Sequence, residues 1–130
     1  MTQASDELHL RDGLPAEFRY LEPDLPRARW PSTRLHPTAQ HWLEIHGWFR
    51  GMTQDLLWLG GEQREGRLEA PAYRVAAIPR LRQFLGNLHG HHNHESGHYF
   101  PALAALEPRM ARGFALLDRD HDAVEHLLSA

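Results

Sequence analysis

Five of the nine prolines crowd into the first 37 residues, at Pro15, Pro23, Pro26, Pro31 and Pro37, and that crowding divides the chain. Proline fixes φ and has no amide proton, so such a stretch cannot be a long helix. Residues 1–36 therefore read as a wrapping arm with one short helical turn near Pro15 to Leu21. Its Phe18, Tyr20, Leu21 and Trp30 are available to pack on a domain. From Pro37 onward the pattern changes to apolar residues at three- and four-residue steps, the signature of amphipathic helices.

Three such helices are expected. The first opens at Pro37, a residue suited to the first helical position, and carries Trp42, Ile45, Phe49, Met52 and Leu56 on one stripe. Gly60-Gly61 is expected to stop it, with a polar loop GGEQREGRLEA following. The second begins at about Pro71 or Pro79 and runs to about Phe100, with Leu81, Phe84, Leu88 and Tyr99 marking its buried side; Pro101 ends or kinks it. The third starts near Pro108 and aligns Met110, Phe114, Leu117, Val124 and Leu128. The expected fold is all-α: an up-down bundle over residues 37–130. Glycines are common inside these helices, at Gly47, Gly51, Gly86, Gly90, Gly97 and Gly113, where each costs roughly 1 kcal/mol against alanine. Close helix contact would explain them, and so would a bound metal that compensates for weak helicity.

Composition narrows the chemistry. The chain of 130 residues has no cysteine, which removes disulfides, zinc–thiolate sites, iron–sulfur clusters and thiol catalysis. Any metal must be held by nitrogen and oxygen. A net charge of −3 gives no sign of general nucleic-acid affinity, although eleven histidines would add positive charge below about pH 6. The N-terminus lacks a signal pattern, and no apolar run approaches the roughly 20 residues that span a bilayer, so a cytoplasmic protein without membrane partners is expected.

Five of the eleven histidines lie between His89 and His98, in the run HGHHNHESGHYFP. Within it His91 and Glu95 stand one helical turn apart, so both side chains can converge on one point. An imidazole and a carboxylate converging from one helix suit a transition metal that prefers nitrogen and oxygen. The apolar face of this helix centres nearer His92 than His91, so the adjacent histidines stay unresolved by the wheel, and spacing favours His91. His89, His94 and His98 point in scattered directions and read as surface residues, or together as an adventitious Ni or Zn trap. On the third helix His121 falls mid-stripe, Glu125 lies about 40° away, and His126 points about 140° away. A carboxylate on an apolar face needs a partner; a metal explains the pair, and so does a buried His–Glu hydrogen bond. His46 flanks the first stripe. Together His46, His91, Glu95, His121 and Glu125 offer five ligands from three helices, the way bundle cores build carboxylate-rich metal sites. No serine or cysteine nucleophile constellation is present, so a hydrolase is disfavoured and catalytic residues are not assigned.

These residues resemble the hemerythrin-like, HHE cation-binding family. The match runs His91, Glu95, Tyr99-Phe100-Pro101 and Leu103 on the second helix. It includes His46, Phe49 and Arg50 on the first, and Asp118-Arg119-Asp120-His121 on the third, over roughly residues 38–130. The resemblance implies a four-helix bundle with a non-heme di-iron centre that binds, senses or reacts with O₂, peroxide or NO. His46, His91 and His121 would be terminal ligands, with Glu95, and in the fuller set Glu125, bridging. Two departures stand out. Glu125 occupies the place of the family's second third-helix histidine, with His126 one position late, and a fourth helix is absent from this chain. A symmetric homodimer whose copies face each other is the corresponding expectation. The reading from another class is a non-catalytic Zn- or Ni-binding, oligomerising interaction module.

Overall fold

The computed structural model describes residues 6–130, which are helical with no strand. Residues 1–5 of the expected arm lie outside the described residues. The long elements are α1 (Pro37–Arg64), α2 (Ala70–His94), α3 (Phe100–Leu106) and α4 (Ala111–Leu128). No helix among the described residues is long and apolar enough to cross a membrane. The chain forms two compact units, one of Arg34–Gly90 and one that joins residues 6–33 to His91–Ala130.

The Arg34–Gly90 unit is a helical hairpin. Pro37 starts α1, and the ring nitrogen Nδ1 of His36 caps it by accepting the Thr38 amide at 3.1 Å. The expected stop at Gly60-Gly61 does not occur, because α1 passes through both glycines to Arg64. What ends it is Gly66, at φ +76°, a conformation that glycine adopts without a Cβ penalty. The Gly66 amide bonds the Gln63 carbonyl and the Arg67 amide bonds the Glu62 carbonyl, a Schellman closure. The Arg67 guanidinium grips the Glu62 carboxylate at 2.7 Å across the same turn. The connection is thus shorter than the polar loop read from the sequence. Phe49 and Phe84 then meet edge to face at 5.6 Å from places nearly equidistant from that turn, which makes the hairpin antiparallel. Phe49, Leu59 and Ala77 are its buried residues.

In the other unit, the helical path of α2 continues past Pro101. Glu95–Tyr99 forms one wider π turn, closed by the Phe100 amide on the Glu95 carbonyl, and α3 carries the helical path on to Leu106. Pro101 cannot donate to the Gly97 carbonyl, and its ring crowds that oxygen in a regular α-helix. A widened preceding turn relieves both conflicts without stopping the helix. After a turn at Pro108–Met110, α4 packs against α3 through Phe100 and Phe114, 5.4 Å apart and stacked.

The arm lies along α4 and runs antiparallel to it. Arg11 pairs with Asp120, Glu7 meets Arg119 at 3.6 Å, and Arg112 joins Glu17 and Asp6. Arg109 sits 3.9 Å above the Tyr20 ring. Phe18 presses on Gly113 so closely that a Cβ there would lie 3.0 Å from the ring. The arm therefore covers a face of α4 that the helical stripe did not predict, with Gly113 buried on it. Trp30 instead serves the arm itself, donating to the Leu25 carbonyl at 3.0 Å with Arg27 over its ring.

Candidate metal centre

The centre is built on the junction of α2 and the π turn. His91 lies in the last turn of α2 and Glu95 opens the π turn, so the pair keeps its one-turn spacing. His91 Nε2 stands 2.9 Å from Glu95 Oε1. From α4, His121 Nε2 stands 3.1 Å from the other oxygen, Oε2. Glu95 is only 5% exposed. An isolated carboxylate buried this far costs several kcal/mol, so an imidazole on each oxygen is what makes the position tenable. Two imidazole nitrogens and a carboxylate converging without thiolate form a donor set suited to non-heme iron and also to zinc. On chemistry and burial, these residues fit a cation.

Further contacts hold His121 in place. The hydroxyl of Ser96, inside the π turn, is 2.9 Å from His121 Nδ1. The His121 ring stacks on His92 at 3.9 Å and 10°, and on Phe100 at 5.3 Å. Burial, reinforced by His121 and His91, pushes His92 down to about 4, while Glu95 and Glu125 pull the other way. His92 is therefore a neutral ring at pH 7, and it packs against a ligand candidate. Of the two adjacent histidines that the helical wheel left open, His91 is the one directed at Glu95.

The remaining candidates are His46 on α1 and Glu125 on α4. Glu125 is exposed, one turn beyond His121, and its charge is felt at His92. His46 is exposed on α1 in the hairpin unit. Its Nδ1 lies 2.7 Å from the Trp42 carbonyl, which can only accept. Nδ1 therefore carries a proton, the arrangement in which metal-ligating histidines donate their other ring N–H to a carbonyl. His89, His94 and His98 are exposed, and His94 stacks on Tyr99 at 4.7 Å. Ser96 and Phe100 carry no ligand signature, and sequence reading passed over Ser96. Only the π turn brings them to His121, and its single trace in the sequence is Pro101.

The hemerythrin HHE cation-binding domain matches the chain over residues 37–130. The chain belongs to this family. The match covers α1 through α4, and the buried His–Glu cluster lies inside it. Comparison with curated proteins and with solved structures finds no match. Cation binding in an all-helical HHE domain is therefore the functional frame, and the three converging side chains are where this chain has the chemistry for it.

Proposed function

We propose that this HHE domain is a non-heme iron protein of di-iron type that binds, senses or reacts with O₂, peroxide or NO. The observation that carries the reading is Glu95, a buried carboxylate with one imidazole nitrogen directed at each of its oxygens. A carboxylate whose two oxygens each face a different imidazole has the disposition of a bridging ligand. In this reading His91 and His121 are terminal ligands. His46 and Glu125 join them on sequence grounds, His46 through Nε2 and Glu125 as a second carboxylate. When bound, iron supplies the redox-active centre for the small molecule. His92 and Phe100, stacked on His121, limit water on that side of the centre and hold the ring in place.

The arm over residues 1–36 is proposed as an appendage to the domain over 37–130, and the assembly as a homodimer. A second reading draws on the exposed His94 and His98, whose rings meet at 5.6 Å, as a Zn- or Ni-capturing surface. Metal analysis with stoichiometry per chain, on protein purified without chelator or nickel resin, tests the proposal. Near two irons per chain with near-ultraviolet and visible absorption supports it. Colourless protein loaded only with zinc overturns it in favour of the second reading.

A further inference from the structure

We propose that Ser96 is a positioning residue for His121, with its hydroxyl serving either tautomer of the ring. The inference rests on the metal-centre reading above. With Glu95 ionised, its Oε2, 3.1 Å from His121 Nε2, accepts a hydrogen bond, so without metal the Nε2 atom carries a proton. A neutral His121 then has its lone pair on Nδ1, and the Ser96 hydroxyl, at 2.9 Å, donates to it. Ligation demands the opposite arrangement, because Nε2 must turn a lone pair to the cation and the proton must move to Nδ1. Ser96 then accepts. A hydroxyl can do both by rotating about one bond, whereas a carbonyl or carboxylate could only accept and a backbone amide could only donate.

Location makes this role specific to one residue. Ser96 follows Glu95 directly in the π turn, so one local widening of the helix sets both the carboxylate on Nε2 and the hydroxyl on Nδ1. The ring is held in plane by the stacked His92 and Phe100, which leaves its two nitrogens, and not its orientation, as the variables. Metal uptake at His121 thus becomes a proton relocation across a fixed ring.

The test compares the full chain with Ser96→Ala and Ser96→Thr by zinc titration and by ¹⁵N NMR of the histidine rings. Loss of a second partner of this kind typically weakens metal affinity about 10–100-fold, and Ser96→Ala is expected to fall in that range. Ser96→Thr, which keeps the hydroxyl, is expected to restore most of the affinity. In metal-free wild type, His121 Nδ1 should show the signature of an acceptor hydrogen-bonded to a hydroxyl, lost in Ser96→Ala, with the protonated nitrogen switching to Nδ1 on zinc loading. Unchanged affinity and an unchanged His121 spectrum in Ser96→Ala overturn the proposal. Wild type that takes up no zinc and no iron overturns the metal-centre reading instead. The metal-free spectra of the two variants then decide the Ser96 contact alone: no difference at Nδ1 removes it.

Discussion

Glu95 is where charge, burial and helix geometry meet, and each neighbour's role can be read from what its loss would leave behind. Removing His91 takes away the imidazole that faces Glu95 Oε1, and removing Glu95 takes away the carboxylate that both His91 and His121 face. His91→Ala and Glu95→Ala are accordingly expected to lose most bound metal, and exposed His94→Ala little, as measured by metal analysis; equal retention in all three would rule out the α2 end as a ligand source. Acid acts on the same groups, because ligation needs neutral imidazole and ionised carboxylate. Metal content should fall between about pH 7 and 5. In metal-free protein a separate effect comes from His92. Its folded value of about 4 lies below the roughly 6.5 of the unfolded chain. Between those limits the unfolded state binds the extra proton, so stability declines as pH falls through that window and is fully present above it. Chelator-treated His92→Phe should show a smaller drop in melting temperature from pH 7 to pH 5 than wild type does. The His91–Glu95 pair was legible because helical spacing alone places two side chains together. His121 was legible because a histidine in an apolar stripe faces inward. Ser96 was not, since its role depends on a widened turn that no periodicity encodes.

Helix ends and helix interiors obey different rules here, and the glycines show it. Gly66 closes α1 at positive φ, so Gly66→Ala should destabilise the hairpin by about 1 kcal/mol. Gly51 and Gly86 lie inside helices with nothing within 4 Å of where a Cβ would stand. Gly51→Ala and Gly86→Ala should each stabilise by up to about 1 kcal/mol. Gly113→Ala should not, because the Phe18 ring already occupies that space. Chemical denaturation of the four variants checks all the signs at once. Close packing, one of the two explanations open for these glycines, thus holds at Gly113, and its partner there is the arm instead of a helix. Helix starts at prolines were readable in the sequence. The end of α1 was misplaced because paired glycines resemble a stop, while the stop itself needs the hydrogen bonds that Gly66 and Arg67 make beyond it. Pro101 was expected to end or kink α2, and the chain instead absorbs it in a π turn.

For the molecule as a whole, several large apolar side chains are exposed on the helices. Leu57 and Trp58 on α1 are 68% and 64% exposed, and Val75 on α2 is 78% exposed. Surface of this kind favours association. Light scattering at micromolar concentration is expected to give twice the 15.0 kDa chain mass, with Trp58→Glu shifting it toward the single-chain value. A monomer in both cases would remove the dimer. Phe18, 7% exposed, anchors the arm, so Phe18→Ala should cost about 3 kcal/mol of unfolding free energy. All-helical architecture was legible from period alone. The arm's course along α4 was not, because its ion pairs and its Phe18–Gly113 contact join residues about a hundred positions apart. That separation has a consequence in time. During synthesis the arm leaves the ribosome first, and its docking surface on α4 follows roughly 5–20 seconds later at ordinary elongation rates of about 5–20 residues per second. Until then Phe18 and Tyr20 have no helix to rest on. The segment that finishes the fold is thus the one the cell must shelter longest, and the nascent chain is most vulnerable to aggregation before α4 emerges.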